Sequence, residues 1–273
     1  MLDLYFAQNR FYNADTRQFT TQDPIKDGMN WYVYCEANPL VNVDWLGLAN
    51  YKVGGIVLAP QFEHDRGFIY DPNEEATASD YVDYSAWYAK GMAALVVPNL
   101  HEPAKQYLNC MDGRCTDTKI SYITVYNEDS TIKKYIDSEI ETMKKFVQNA
   151  YFSDGVCNSF EIIGDLQGIP NGEKEKWQKT IGAHHVYGHG KVEIDNKTLI
   201  ATMTITFYME DMYNFNPGQQ DIATGTPDAA NGRFAVLGWA KEFKTAGSMT
   251  KVITWNMKDP SDIQVEKSGS DRN

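Results

Sequence analysis

The chain has 273 residues, and its 37 acidic side chains outnumber its 25 basic ones, which gives a formal net charge of −12. Hydrophobic residues make up 42% and aromatic residues 13%, a composition typical of globular proteins and not of disordered ones. The acidic balance argues against a bulk nucleic-acid-binding surface, because such surfaces are basic. No apolar run reaches the ~18–20 residues of a membrane-spanning helix, and the first residues lack the pattern of a signal peptide.

Residues 1–48 alternate short aromatic runs with turn-forming residues. The runs include Phe11-Tyr12 and Trp31-Tyr32, and turn formers such as Asp27-Gly28 and Asn38-Pro39 stand between the runs. Short strands separated by such turns predict a β-meander. A segment of this size is too small to close a core of its own, so we expect it to be the end of a larger β structure.

This segment carries motifs in a fixed order, and the order identifies a family. The motifs are Arg10-Phe11-Tyr12-Asn13, Thr16-Arg17-Gln18-Phe19, Gln22-Asp23-Pro24-Ile25, Asn30-Trp31-Tyr32-Val33-Tyr34, Asn38-Pro39-Leu40 and Val43-Asp44-Trp45-Leu46-Gly47-Leu48. Together they resemble the C-terminal end of the RHS-repeat (YD-repeat) core domain. The resemblance implies a large β cocoon that encloses a variable toxin, with residues 49–257 in the toxin position.

The same resemblance implies self-cleavage just after an Asp-Pro-x-Gly-Leu motif. Asp44 matches the motif aspartate, Leu48 the residue before the cut, and Asp23 the upstream aspartate that would pair with Asp44. Two carboxylates that share a proton can activate water. Trp45 stands where the family usually has proline, and this departure predicts a cut that is slow or absent. The competing interpretation is that Asp23 and Asp44 cap turns.

The resemblance also implies a set of partners and a destination. The partners are the remainder of the RHS core as an encapsulating shell, a cognate immunity protein and a secretion apparatus. The protein is then expected to be secreted or delivered to a target bacterial cell.

Residues 49–257 are predicted to form one α+β domain, mostly helical over 49–155 and mostly β over 180–257. Apolar residues at helical spacing predict a helix from about Ser130 to Phe152, with Asp129 or Ser130 as its cap. A second helical pattern runs from Asp80 to Val97. We expect the helices to pack on an antiparallel sheet or half-barrel. Residues 258–273 are predicted to be a polar, frayed tail.

Two cysteines lie close together in the helical part. Cys110 and Cys115 have four residues between them, whereas zinc pairs more often have two, and no second pair follows. A hairpin disulfide in an oxidising compartment is therefore preferred to a zinc site.

Three of the five histidines fall within residues 182–190, whose glycines disfavour a helix. On a strand, His185 and His189 share one face and His184 takes the other. Such a pair could ligate a metal or act as an acid–base group near neutral pH. The alternative is a set of surface or interstrand histidines without a catalytic role.

A strand hairpin follows, and then a long polar loop. Residues 191–195 and 199–209 alternate polar and apolar side chains around an Asn196-Lys197 turn, and the strand is predicted to end at Glu210-Asp211. The loop gathers candidate catalytic residues: Asp211, Tyr213, Asp221, Asp228 and Arg233. Long loops in compact domains are usually functional or disordered. Several carboxylates together predict a divalent cation, Mg²⁺ or Ca²⁺, or Arg233 as their partner; a purely structural Asx-rich connection is the alternative.

The end of this strand also has a weaker resemblance to a second family. The run Asp211-Met-Tyr213-Asn214-Phe-Asn-Pro217, followed by glycines and a last strand, resembles the catalytic β-barrel of colicin M-type bacteriocins, which hydrolyse the undecaprenyl-pyrophosphoryl link of lipid II. Asp211 and Tyr213 match that motif. Asn214 replaces a second aspartate, and Gln220-Asp221 replaces His-Arg, so the expected histidine base is missing.

Three functions are compatible with the sequence. The first is a hydrolytic toxin that acts on a cell-envelope substrate, such as a lipid-linked peptidoglycan precursor, at the loop from Asp211 to Arg233. The second is a nuclease toxin that uses the histidines of 184–189, against which the acidic balance counts. The third is a non-enzymatic toxin that disrupts membranes.

Overall fold

The structure is a computed structural model that describes residues 4–7, 10–13, 16, 18–21, 32, 42–43, 51–53, 59–153 and 157–269. Near the N-terminus a small antiparallel sheet pairs each strand with the next: β1 (Leu4–Ala7), β2 (Arg10–Asn13) and β3 (Gln18–Phe19). Phe19 is buried there, and its ring meets the Tyr12 ring edge-on. These strands follow the meander pattern predicted for the segment.

The larger of the two sheets has nine strands in the part of the chain that the structure describes. Its strands are β4 (Asn42–Val43), β5 (Tyr51–Val53), β6 (Thr118–Ser121), β7 (Ser159–Ile163), β8 (Gln167–Ile169), β9 (His184–Asp195), β10 (Ile200–Tyr213), β11 (Phe243–Asn256) and β12 (Asp259–Gly269). The path runs β12-β11-β10-β9-β7-β5-β4, with β8 beside β9 and β6 beside β11. Only β6 lies parallel to its partner among the described strands. The path has two ends, so the sheet is open.

Strands β9 and β10 form the predicted hairpin, and β10 is longer than predicted. Met203, Ile205 and Phe207 are fully buried, while the intervening threonines face the other side of the sheet. Asp195 accepts a hydrogen bond from the Lys197 backbone at 2.8 Å and closes the turn. The predicted end of the strand at Glu210-Asp211 is wrong, because β11 stays paired with β10 as far as Tyr213.

Within the described residues, six α-helices complete the α+β fold: α1 (Ala78–Ala94), α2 (His101–Met111), α3 (Tyr122–Glu128), α4 (Ser130–Ser153), α5 (Glu175–Thr180) and α6 (Ala229–Val236), with a short 3-10 helix at Pro98–Leu100. The predicted helix from about Ser130 is confirmed as α4. Asp129 caps it, since its Oδ1 accepts hydrogen bonds from the backbone of Thr131 and Ile132 at 3.1 Å. Its Oδ2 also accepts from the Lys174 backbone, which ties α5 to the start of α4.

The main core lies between α3, α4 and one face of the large sheet. Ile136 and Met143 of α4 belong to one buried cluster with Ile205 and Phe207 of β10 and Trp255 of β11. A helix with one apolar stripe buries that stripe most effectively against the apolar face of a sheet. The prediction that the helical part packs on the antiparallel strands is therefore confirmed.

A second, smaller core joins α1, α2 and α6 to the ends of β10 and β11. Met111, Phe234 and Phe243 are its buried centre, and Tyr84 and Tyr213 are packed against it. The predicted helix from Asp80 is confirmed as α1, and Tyr81 near its start is 60% exposed. Because β10 enters both cores, its last residues lie where the two meet.

Two further expectations are corrected by the fold. Residues 259–269 are not a frayed tail, because β12 pairs antiparallel with β11. Cys110 and Cys115 are not joined: Cys110 is buried in α2 and Cys115 is exposed after it, and both are free thiols. Burial raises the pKa of the Cys110 thiol to about 12, so that thiol stays protonated.

Candidate active-site cleft

A cleft of about 920 Å³ opens where the end of β10 and the loop 214–228 face α1, α2 and α5. This volume lies at the upper end of the range of small-molecule sites, about 300–1,000 Å³. Four carboxyl groups line it: Asp65, Asp211, Asp221 and Asp228. The structure therefore brings together three aspartates predicted from the loop and adds one from a distant part of the chain.

Asp211 is placed by the alternation of β10. Its side chain projects from the same side of the strand as Met209 and Tyr213, toward the junction of the two cores. Burial and, to a lesser extent, the nearby charge of Asp65 raise the pKa of this carboxyl to about 8, although a hydrogen bond from the Met212 backbone opposes both. Asp211 therefore keeps its proton at neutral pH and can donate it.

Asp65 comes from the strap, the segment 59–77, which contains neither helix nor strand. Its Oδ1 accepts from the Asn214 side-chain amide at 3.2 Å, and its Oδ2 accepts from the Asn216 side-chain amide at 2.6 Å. On either side of it, His64 bonds Glu210 at 2.8 Å and the Phe68 backbone donates to Phe215. Asp65 is thus fixed against the loop that follows β10.

The remaining two aspartates differ in their environment. Burial raises the pKa of Asp228, and Asp221 and Asp65 raise it further by charge repulsion, although Asp228 accepts a hydrogen bond from the Asn216 backbone at 3.0 Å. Burial also opposes ionisation of Asp221, but hydrogen bonds from Thr224 and the nearby Lys179 outweigh burial and lower its pKa. When carboxyl groups in one cleft have different pKa values, one can act as an acid while another acts as a base.

Aromatic rings form part of the cleft wall. Tyr213 stacks on Phe243 with ring centroids 5.2 Å apart, and burial raises its pKa well above the ordinary value. Its hydroxyl therefore keeps its proton, and Tyr213 does not act as a base. Trp87 and Tyr107 line the opposite wall, where the Tyr107 hydroxyl donates to Asn231 Oδ1 at 2.8 Å.

Arg233 lies outside this cleft, which corrects the expectation that it faces the aspartates of the loop. It belongs to α6, and its guanidinium bonds Asp80 at 3.1 Å, Glu74 at 2.5 Å and the Glu75 carbonyl at 3.0 Å. These bonds tie α6 to the start of α1 and to the strap. Because its donors are already bonded to acidic partners, Arg233 is not placed to bind an anionic substrate.

The predicted histidine cluster is divided by the sheet. His184 is buried, and its Nε2 lies 2.9 Å from the Tyr122 hydroxyl; burial lowers its pKa to about 4. His185 pairs with Glu210, and paired residues share a face, so it lies on the side opposite Asp211. His189 lies on that side too, with Nε2 3.5 Å from Glu161. His185 and His189 therefore share one face of the strand and His184 takes the other, as predicted.

The predicted divalent-cation site has no support in the geometry. Within the described ranges, no group of three or more His, Cys, Asp or Glu side chains is placed to hold a metal ion. The cleft aspartates instead take their hydrogen bonds from amides and hydroxyls, as Asp65 does from Asn214 and Asn216.

Asp65 is the cleft carboxyl that the sequence did not predict. It stands well over a hundred residues before Asp211, in a stretch without a motif or a hydrophobic period. The sequence offered no signal for the pairing, because the strap reaches the cleft only through contacts made in the folded chain. The predicted self-cleavage residues Asp23, Asp44 and Leu48 lie outside the described residues.

The fold and cleft define an α+β protein with an acidic, solvent-open site at the junction of two cores. No family model, no curated protein and no solved structure matches this chain. None of the helices in the described part has the length and apolarity needed to cross a membrane.

Proposed function

We propose that this chain is the C-terminal toxin of an RHS-family polymorphic toxin and that it hydrolyses a cell-envelope substrate, such as a lipid-linked peptidoglycan precursor. The family assignment is supported by the ordered motifs of residues 4–48. The hydrolytic chemistry is supported by one arrangement: the partly buried Asp211 carboxyl, whose pKa is raised to about 8, lines an open cleft together with a second carboxyl, Asp65. A positioned acid and a positioned base accelerate hydrolysis by about 10²–10⁴-fold.

The proposed partners follow from the family. The remainder of the RHS core forms the shell around the toxin, a cognate immunity protein protects the producing cell, and a secretion apparatus delivers the toxin to a target bacterium. Cleavage after Leu48 by the Asp23–Asp44 pair releases the toxin.

The cleavage is tested in a longer protein that contains the whole RHS core. The parent should yield a fragment that starts at Ala49, and Asp44→Asn should remain intact, because the pair then lacks one of its two carboxylates. Intact-mass analysis distinguishes the two. A fragment starting at Ala49 from the Asp44→Asn protein contradicts the proposal.

The hydrolytic function is tested by expressing the full chain in bacteria, once in the cytoplasm and once directed to the periplasm. Killing is expected only where the envelope substrate is accessible. Asp211→Asn keeps the size of the side chain but cannot donate the carboxyl proton, so killing should fall by about 10²-fold or more. Asp83→Asn is the matched control, since Asp83 is exposed on α1 outside the cleft.

An Asp211→Asn protein that folds as the parent does and kills equally fast would refute the catalytic role. Two other assays then identify the alternatives. Degradation of DNA or RNA by the purified chain indicates a nuclease, and release of dye from phospholipid vesicles indicates a membrane-disrupting toxin.

A further inference from the structure

The wall of the cleft is built from neutral hydrogen-bonding groups. The side-chain amides of Asn171, Gln219 and Gln220 line it, and none of the three bonds another side chain among the described residues. Asn216 Oδ1 is buried and has no hydrogen-bond partner in the described part of the chain. Side-chain amides both donate and accept hydrogen bonds, so the three unbonded amides of this wall suit a ligand that brings hydroxyl or amide groups.

The charges of the cleft disfavour an anionic ligand. Arg66, Lys90 and Lys179 face four carboxyl groups, so the wall has no positive excess. Lys179 is already paired with Glu175 at 2.9 Å and lies 3.5 Å from Asp221. A pyrophosphate substrate requires an excess of cations, or side chains that hold a metal ion, to absorb its charge. The cleft has no positive excess, and no group of three or more described His, Cys, Asp or Glu side chains is placed to hold a metal.

Aromatic rings provide the apolar part of the wall. Trp87, Tyr107 and Phe215 all line the cleft, and Trp87 is partly buried, with the Lys90 ammonium 3.7 Å from its ring centroid. Flat rings beside amides and carboxyls match a ligand whose faces are apolar and whose edges carry hydroxyls, as the faces and edges of a sugar ring do.

From this arrangement we propose that the cleft binds a glycan, and that Asp211 and Asp65 hydrolyse a glycosidic bond in it. The inference rests on the proposed hydrolytic function and specifies its substrate class: the sugar portion of an envelope molecule and not its pyrophosphate link. Most glycoside hydrolases use two carboxyl groups for this reaction, one on either side of the scissile bond.

The proposed reaction consumes one water molecule. As the bond between the anomeric carbon and the glycosidic oxygen breaks, the Asp211 proton passes to that oxygen, and the leaving sugar departs as an alcohol. The water oxygen bonds to the anomeric carbon, and the proton that it loses passes to the Asp65 carboxylate. Solvent then returns a proton from Asp65 to Asp211, and both residues regain their starting states.

The test measures binding and bond cleavage separately on the full chain. Binding of a neutral oligomer of N-acetylglucosamine is followed by calorimetry with the Asp211→Asn protein, which should retain affinity and lack turnover. Trp87→Ala should weaken binding about tenfold, and Trp87→Phe should restore most of it, since that ring can still stack. Phe152→Ala is the matched control, because Phe152 is exposed on α4 outside the cleft.

Cleavage is measured on purified peptidoglycan and on lipid II by the appearance of new reducing sugar ends and of free lipid phosphate. New reducing ends that are lost in Asp211→Asn support the proposal. Lipid phosphate without reducing ends, or no oligosaccharide binding by a chain that still kills through Asp211, overturns the glycan inference and leaves the hydrolytic function intact. Undiminished killing by Asp211→Asn overturns both.

Discussion

At the scale of single residues, the site depends on where Asp211 lies along its strand. One position earlier, Glu210 faces the opposite side of the sheet, where His64 and Lys244 bond it at 2.8 and 3.1 Å. The Lys244 ammonium is a charged donor to the Glu210 carboxyl. Asp211 has a partly buried position and an acidic neighbour, Asp65. Two adjacent carboxyls thus differ because the strand turns them to opposite faces.

Asp211 should make the stability of the protein depend on pH. Its folded pKa, about 8, lies above the unfolded value of about 4. Below about 4 both states hold the proton, whereas between about 4 and about 8 only the folded state holds it, so its contribution to the unfolding free energy falls as pH rises through this window. The steepest slope is about 1.4 kcal/mol per pH unit.

The measurement is urea unfolding of the parent and of Asp211→Asn across that window. The stability of the variant relative to the parent should increase with pH, since asparagine does not titrate. The difference isolates Asp211 from the other titrating groups. A difference that stays constant with pH would contradict the raised pKa.

The rate of hydrolysis by the parent should decline as pH rises past about 8, because the acid form of Asp211 is lost.

At the scale of elements, the strap decides whether the site is complete. It is held along its length, by the Phe62 ring against Tyr187 at 5.5 Å, by Asp71 bonding Val236, and by Glu74 pairing with Arg233. Its ring Phe68 lies over Gly232 of α6, where a Cβ would come within 2.2 Å of the ring. Only glycine permits this approach, so α6 and the strap fit together through that position.

Gly232→Ala should therefore displace the strap and with it Asp65. Alanine at a helical position normally gains about 1 kcal/mol over glycine, but forcing the Phe68 ring aside costs about 1–3 kcal/mol, so a net loss of stability is expected. Hydrolytic activity should fall with it. Thermal unfolding and killing assays measure the two effects.

Gly168→Ala is the control for this substitution, because nothing lies within 4 Å of a Cβ at that position in β8. It should leave both melting temperature and killing near the parent values. If Gly232→Ala melts above the parent and kills normally, the strap does not depend on this contact.

At the scale of the whole molecule, two buried clusters share the same two strands. β10 contributes Met209 to the larger cluster and Tyr213 to the smaller, and β11 contributes Met249 and Phe243 in the same way. A strand paired on both sides cannot leave one cluster without disturbing the other. We therefore expect the described α+β part to unfold as one cooperative unit.

This expectation is tested by one substitution in each cluster. Phe207→Ala in the larger and Phe234→Ala in the smaller should each cost about 3–5 kcal/mol, because both rings are almost fully buried. In urea, tryptophan fluorescence and far-ultraviolet circular dichroism should report a single transition, shifted by either variant. Two transitions, each moved by only one of the variants, would show two independent units.

Local patterns in the sequence determined several elements of this protein. The apolar period of 3–4 residues specified α4, and the alternation around Asn196-Lys197 specified the β9–β10 hairpin, because helices and strands expose one face at those periods. The concentration of aspartates after the strand also pointed to the cleft. Each of these features is encoded by neighbouring residues, so it can be recognised without knowing the rest of the fold.

Only the tertiary structure decided which of those residues share a site. Asp65 reaches Asn214 and Asn216 by way of the strap, whereas Arg233, much closer to Asp211 in sequence, is bonded to Asp80 and Glu74 outside the cleft. The extension of β10 to Tyr213 likewise depends on its pairing with β11. Contacts between distant segments depend on how the two cores pack together, and spacing along the chain carries no record of that packing.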